Sequence, residues 1–303
     1  MDFRQLQYIT AVAEYRNVTK AAEALYISQS ALSHFIRKTE EELGVQLFDR
    51  STTPISLTYA GKCYIESAQR ILLENERLMK ELREITENMT GVLRIGVSRD
   101  RASYTMPRLV RDFQAVYPGI HVDIFTQSAQ QLYDALKTGR IDLLLLPGAG
   151  RDTDPSITYQ KIYTEELVLC AGKNTIGERG YISDPKELDQ KPFFLLKQEH
   201  AIRNFCDDFF RKNRIRPEIH NELSSSITCY RMAAAGLGFA IVPYIVTHLA
   251  APGMDMELLS LGKEPVTWDV NMYYRKEAYL GHPELEMIQL ARKLFSHEML
   301  DRQ

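Results

Sequence analysis

Several features that would set this chain apart from ordinary globular proteins are scarce or missing in its 303 residues. No apolar run approaches the roughly 20 residues that a membrane span needs. The opening MDFRQLQYI has no apolar core of a secretory signal, so neither a membrane partner nor export is expected. Cysteine is sparse. Cys63, Cys170, Cys206 and Cys229 stand far apart with no CxxC pair, a pattern that reads as buried thiols in a reducing cytoplasm rather than a disulfide framework. Catalytic signatures are missing too. His34, His121, His200, His220, His248, His282 and His297 are scattered, no HExxH or GxSxG occurs, and Gly236-Leu237-Gly238 is no dinucleotide fingerprint. No enzyme, metal site or cofactor is therefore expected. A net charge of −3 argues against a nonspecific nucleic-acid coat. Hydrophobic content of 45% and charged content of 25% are ordinary, and the length allows a large core and more than one domain.

What the chain does contain begins at Thr19. From there to Leu57 it reads as two short helices, a tight turn and a small β-wing, a device that sets one helix in the major groove of DNA. Thr19 is the expected N-cap of the first helix, whose apolar side is Ala21, Ala22 and Leu25. Those alanines let a second helix cross closely. Tyr26 and Ile27 carry the turn, and Ser28 caps the second helix. That helix, Gln29 to Leu43, is expected to bury Ala31, Leu32, Phe35 and Ile36, leaving Gln29, Ser33, His34 and Arg37 opposite. Gly44 stops it as a C′ residue.

The string SQSALSHFIRKTEEELGVQLFDR (Ser28–Arg50), followed by Leu57-Thr58-x-x-Gly61, resembles the N-terminal domain of LysR-type transcriptional regulators. The resemblance implies a bacterial cytoplasmic regulator that binds double-stranded promoter DNA, answers to a small-molecule effector and contacts RNA polymerase. Gln29 suits bidentate pairing with adenine, and Ser33 a base or a phosphate. Arg37 and Lys38 are expected on phosphate, with Arg50, Thr52 and Thr53 of the wing. Thr19, Lys20, Ser28 and Ser30 complete the expected DNA-facing set. Three positions depart from the family pattern: His34 stands for the commoner arginine, Thr39 for leucine, and Thr53 near a frequent basic residue. His34 makes pH-sensitive binding an expectation. Residues 1–57 hold six Lys/Arg against seven Asp/Glu, so affinity must come from where the cations sit and from oligomeric avidity.

From Thr58 to about Met89, Tyr64, Ala68, Ile71, Leu78, Leu82, Ile85 and Met89 follow a 4-3-4-3 series whose one gap is Asn75. A helix of about 30 residues, or about 45 Å, is awkward to pack on its own domain. A seam shared with a second chain is the better reading, with Ala68, Ile71, Asn75, Leu78, Leu82 and Ile85 as dimerisation residues. The family uses its linker helix that way. The expected organisation is a DNA-binding domain over 1–58, a linker helix over 59–89 and an effector-binding domain over 90–303, assembled as a homodimer or homotetramer.

Thr90 and Gly91 break the helix, and strands then alternate with helices. The expected strands are Val92–Val97, His121–Thr126, Asp142–Pro147, Glu166–Ala171, Pro192–Lys197, Phe239–Tyr244 and Val266–Tyr274. The expected helices are Met106–Tyr117, Gln130–Thr138, Lys186–Leu188, Ile202–Asn213, Ser226–Ala235 and Glu284–Met299. This alternation argues for an α/β fold with a largely parallel sheet. Phe113-x-x-x-Tyr117-Pro118, Leu136-Lys137-x-Gly139-x-x-Asp142 and Ala235–Pro243 resemble the effector domain of the same regulators, which looks like a small periplasmic binding protein of two lobes. Lobe I is expected at about 91–161 and 268–303, and lobe II at about 162–267.

Ligands of open α/β sheets sit at the carboxyl ends of strands, against helix N-termini. Those ends are Ser98 with Arg99, Gln127 with Ser128, Pro147 to Gly150, Gln198 to Ala201 including His200, and Ser224 to Ser226 including Ser225. Ser98 and Ser128 fall where family members usually contact effector. The same serines also serve as plain helix caps. The ring suits a small carboxylate, sulfate or similar anion, to which Arg99 and Arg203 could add charge. Two alternatives remain. A thiol-based redox sensor of the same family would use Cys206 or Cys229, although Cys206 lies in an apolar helical run. A solute-binding protein would share the C-terminal fold but have no use for residues 1–57.

Overall fold

A computed structural model describes residues 2–85, 89–148, 154–173, 175–176, 180–249 and 256–298. The chain divides into two compact units, Met1–Asn88 and Met89–Gln303.

In the first unit, α1 (Phe3–Tyr15) begins at a capping box in which the Asp2 side chain accepts from Gln5 N–H and the Gln5 side chain accepts from Asp2 N–H. α2 (Val18–Ala24) is capped by Asn17, whose side chain accepts from Lys20 N–H at 3.0 Å, not by Thr19. Thr19 lies inside the helix, because Arg16 at φ 47° ends α1 one residue before the new cap. α3 (Gln29–Leu43) starts at Ser28, which accepts from Ala31 N–H, and stops at Gly44 in the left-handed conformation. Its buried stripe is Leu32, Ile36, Thr39 and Glu40. Ala31 is exposed and Phe35 only partly buried, so the stripe is rotated from the expected one. Phe35 meets Tyr8 edge to face at the margin of the core. That core joins Ile9, Val12, Ala21, Ala22, Leu32 and Ile36 to Leu47, Phe48 and Ile65.

The wing is an antiparallel pair, β1 (Phe48–Asp49) and β2 (Ser56–Leu57), leading into α4 (Tyr59–Ile85). Thr58 joins them: its hydroxyl donates to Gln46 O at 2.6 Å and accepts from Gly61 N–H at 3.0 Å. A Cβ on Gly61 would lie 2.0 Å from the Leu47 carbonyl oxygen, so this close approach admits only glycine. Further along α4, Ala68 is buried, while Ile71, Asn75, Leu78 and Leu82 are exposed. The Ile85 side chain lies outside the described residues.

The second unit runs β3 (Gly91–Val97), α5 (Arg99–Val116), β4 (Ile120–Phe125), α6 (Ala129–Lys137), β5 (Leu143–Pro147) and β6 (Ile157–Gly172). A 3-10 turn at Pro185–Leu188 precedes β7 (Pro192–Leu196), α7 (Ala201–Asn213), β8 (Glu218–Leu223), α8 (Ser226–Ala234) and β9 (Ala240–Pro243). After a second such turn at Tyr244–Leu249 come β10 (Met256–Ser260), β11 (Thr267–Arg275) and α9 (His282–Glu298). Gly150 and Met299 fall outside the described residues.

The main sheet has the order β10-β6-β11-β5-β3-β4, with β9 also paired to β6 and β7–β8 forming a separate pair. It is mixed rather than largely parallel. Among the described ladders, β4-β3-β5 and β7-β8 pair in parallel, whereas β11 runs against β5 and β6, and β6 against β9 and β10. The reversal comes from β6 and β11, which cross between two cores. β6 gives Ile162 and Tyr163 to a core with Leu93, Ile95, Phe113 and Phe295, and gives Leu167 to Ala171 to another with Phe193, Phe210 and Ala240. Trp268 packs against both. The result is two α/β lobes joined by two crossover strands.

Candidate functional site

In the second unit a cleft of about 440 Å³ opens at the carboxyl ends of β3, β4 and β5. Of the expected effector residues, Ser98, Arg99, Gln127 and Ser128 line it from one side. Pro147, His200 and Ala201 line it as well. Gln198 and Ser225 are not among its lining residues, although Ser224 and Ser226 are.

Four helix N-termini meet here, and they differ in how they are satisfied. Ser128 caps α6 through a reciprocal box with Gln131. Ser98 and His200, the N-cap residues of α5 and α7, make no side-chain cap. At α8 the cap comes from the opposite lobe. Asp100 Oδ2 accepts from Ser226 N–H and from Ser226 Oγ, each at 2.5 Å, while Ser225 Oγ donates to Oδ1 at 3.3 Å. Sequence reasoning missed Asp100, because nothing local to α5 signals that its first turn faces the start of α8.

Beneath the cleft lies a buried ion pair. Arg101 Nη2 and Glu165 Oε2 are 2.7 Å apart, both side chains 3% exposed. Trp268 Nε1 donates to the same oxygen at 2.8 Å, and Arg101 donates to the Tyr163 hydroxyl. Burial, the largest single influence, would lower the Arg101 pKa, but the Glu165 charge, the neighbouring Tyr104 and Tyr163 hydroxyls and the hydrogen bond to Glu165 together outweigh it, and the guanidinium is held more firmly protonated than usual. Arg101 Nε and Glu165 Oε1 have no hydrogen-bond partner. Burial also pushes the Tyr104 hydroxyl up, so it stays protonated beside the cleft.

Arg203 does not reach the cleft as an anion ligand. It is buried in α7, its guanidinium bonded to Asp207 at 2.9 Å, Glu222 at 2.5 Å and Leu196 O at 3.0 Å. It ties α7 to β7 and β8. Arg99 remains exposed on the cleft wall.

The cysteines sit away from solvent except Cys63. Burial raises the Cys170 and Cys206 thiols well above the ordinary thiol range. Burial and the Asp100 charge push Cys229 up to about 12. A thiolate nucleophile is therefore disfavoured at all three.

In the first unit, Thr19, Lys20, Ser28, Gln29, Ser30, His34, Arg37 and Lys38 are exposed, as are Thr52 and Thr53 of the wing. Ser33 is half-buried and accepts from Gln29 Nε2 at 2.9 Å. Arg50 is engaged within the fold: its Nη2 lies 2.9 Å from Glu40 Oε2, while Glu40 Oε1 accepts from Leu47 and Phe48 N–H. Glu40 thus anchors the wing to α3. Among the described residues no group of three or more His, Cys, Asp or Glu could hold a metal, and no helix is long and apolar enough to cross a membrane.

Residues 3–62 match the bacterial regulatory helix-turn-helix proteins of the lysR family, and residues 86–296 match the LysR substrate binding domain. The uncharacterized HTH-type transcriptional regulator YybE of Bacillus subtilis is 33% identical over 80% of this chain and 82% of its own length. The HTH-type transcriptional regulator ClcR of Pseudomonas putida is 30% identical over 91% of this chain and 94% of its own. A solved structure of full-length CbnR complexed with its target DNA is similar over 97% of this chain and 99% of that one, at 25% identity and a TM-score of 0.62.

Proposed function

We propose, for a chain that belongs to the LysR family of bacterial transcriptional regulators, that α3 reads promoter DNA and that a small anion in the cleft of residues 90–303 controls the reading. The observation that carries the DNA half is the division of α3. Leu32 and Ile36 are buried while Gln29, Ser30, His34, Arg37 and Lys38 stand exposed together behind the Ser28 cap. CbnR, the relative solved on its target DNA, has the same overall fold. Gln29 takes base edges with Ser33. Arg37 and Lys38, with Thr19, Lys20, Ser28, Ser30 and the wing Thr53, take phosphate. Arg50 contributes chiefly by holding the wing.

The effector half is supported by the cleft and by the side-chain-uncapped starts of α5 and α7, beside Arg99. Ser98, Gln127, Ser128, Pro147, His200 and Ala201 are the proposed contacts. In the linker helix, Ile71 (38% exposed), Leu78 (51%) and Leu82 (46%) form an apolar seam with Ala68 and Asn75 that suits a second copy. Dimers pairing further into tetramers, contact with RNA polymerase and a cytoplasmic location complete the proposal. The thiol-based alternative has less behind it, since burial disfavours thiolate at Cys206 and Cys229. By linkage, effector and DNA change each other's affinity by the same factor.

The test is binding of the full-length protein to a duplex spanning the DNA upstream of its own gene. Affinity should fall steeply with salt and drop on Gln29→Ala or Arg37→Ala. Binding indifferent to salt and to both changes would overturn the DNA reading. A thermal-shift screen of sulfate, small carboxylates and aromatic acids tests the effector reading. No stabilisation by any of them would count against an anionic ligand.

A further inference from the structure

Tyr26, between α2 and α3, has φ 56°, a left-handed conformation that non-glycine residues rarely adopt. Two hydrogen bonds hold it there: Tyr26 N–H donates to Glu23 O at 3.1 Å and Ile27 N–H to Ala22 O at 3.0 Å. This is the helix-ending arrangement in which glycine is the usual occupant. The side chain does nothing inside the fold to offset the strain. Leu25 and Ile27 on either side pack against the core, yet the Tyr26 ring is 95% exposed. A strained backbone carrying an aromatic ring into water is the pattern of a side chain retained for a partner. Tyr59, also largely exposed at 83%, lacks the strained backbone.

The position of Tyr26 indicates which partner. It stands two residues before the Ser28 cap, contiguous with the exposed Gln29 and Ser30 at the start of α3. We infer that Tyr26 is a DNA-contact residue whose phenolic hydroxyl donates to a backbone phosphate beside the groove that α3 enters. This rests on the proposed DNA reading and adds to it a contact that is neutral. Such a donor releases no condensed counterion, so it strengthens binding to any sequence without steepening the salt dependence.

The experiment compares full-length wild type, Tyr26→Gly, Tyr26→Phe and Gln29→Ala by fluorescence anisotropy. The probes are a duplex spanning the DNA upstream of its own gene and a scrambled duplex of equal length. Tyr26→Gly and Tyr26→Phe should each weaken binding to both duplexes by about threefold to tenfold, the size of one lost hydrogen bond, with an unchanged salt slope. Tyr26→Gly should melt no lower than wild type, because glycine accepts the left-handed backbone, so lost affinity cannot be put down to misfolding. Tyr26→Gly binding within about twofold of wild type while Gln29→Ala weakens binding would overturn the inference and leave the DNA reading intact. Wild-type-like binding by Tyr26→Phe would overturn the phosphate hydrogen bond. Unchanged DNA affinity with altered self-association would assign the ring to a protein contact and overturn the inference. No binding of wild type to either duplex would overturn both.

Discussion

Asp100, in the first turn of α5, and Ser226, the first residue of α8, are joined across the cleft by two hydrogen bonds of 2.5 Å to one carboxylate oxygen. The positive end of α8 is thus already matched by a negative charge from the other lobe, as a bound anion would match it. Asp100→Asn weakens that cap. It is expected to lower stability by about 1–2 kcal/mol and to enlarge the stabilisation produced by added sulfate. Melting curves with and without sulfate check both. An equal sulfate response in the two proteins would show that Asp100 does not occupy an anion position.

The Arg101–Glu165 pair has almost no solvent to fall back on. Glu165→Gln leaves a buried guanidinium uncompensated and should cost about 3–5 kcal/mol. Replacing both partners with apolar residues of similar size should cost less than either single change. Urea midpoints at constant slope give the comparison.

Thiol reactivity should separate the cysteines cleanly. Cys63 is exposed, while Cys170, Cys206 and Cys229 are buried with raised thiol pKa values. A thiol reagent on the native protein at pH 7 should label Cys63 first, and the remaining three only on unfolding. Dilute peroxide should leave DNA affinity unchanged. Rapid sulfenic acid formation at Cys206 or Cys229, located by mass spectrometry, would instead favour the redox reading.

Asp154 provides a pH test. Lys137 Nζ lies 2.6 Å from its carboxylate, and Ser156 donates to it through Oγ and N–H. The Lys137 bond, then those from Ser156, hold its pKa well below the usual carboxylate range. A depressed folded pKa contributes stability above the unfolded value of about 3.9, lost as pH falls through the folded one. Asp154→Asn should therefore be less stable than wild type at pH 7. The difference should shrink below about pH 4 and vanish in stronger acid. A difference independent of pH would exclude the ionic contribution.

Features that one element specifies by itself were readable from its residues. Ser28 and Gly44 bound α3 because a hydroxyl cap and a left-handed glycine are local requirements. Ser98 and Ser128 could be placed at strand ends by pattern alone. Features that depend on two distant segments were not readable. The Asp100 contact joins residues 126 positions apart, and the partners of Arg203 come from β7, α7 and β8. β8 was overlooked because nearly all of its residues are exposed, leaving no apolar alternation to detect. The start of α5 was missed because its first turns, Arg99 to Tyr104, are polar apart from Ala102, and Pro107 sits inside the helix. Asn17 caps α2 where Thr19 was expected, because both residue types cap helices well and only the end of α1 at Arg16 decides between them.

The contact at Gly61 bears on how force passes along the chain. With the Leu47 carbonyl pressed against the helix there, and with Thr58 bonded to both sides, the joint between wing and α4 has no slack. Glu40 fastens that wing to α3 in turn. α3, the wing and the first turns of α4 are therefore tied into one stiff piece, and the 27 residues of α4 act as its lever arm. Over about 40 Å of helix, a tilt of about 5° displaces the far end by about 3.5 Å. Angstrom-scale shifts at the distal end of α4 are thus geared down into small, well-defined rotations of α3, and a side chain in place of Gly61 would loosen the gear without touching DNA or ligand.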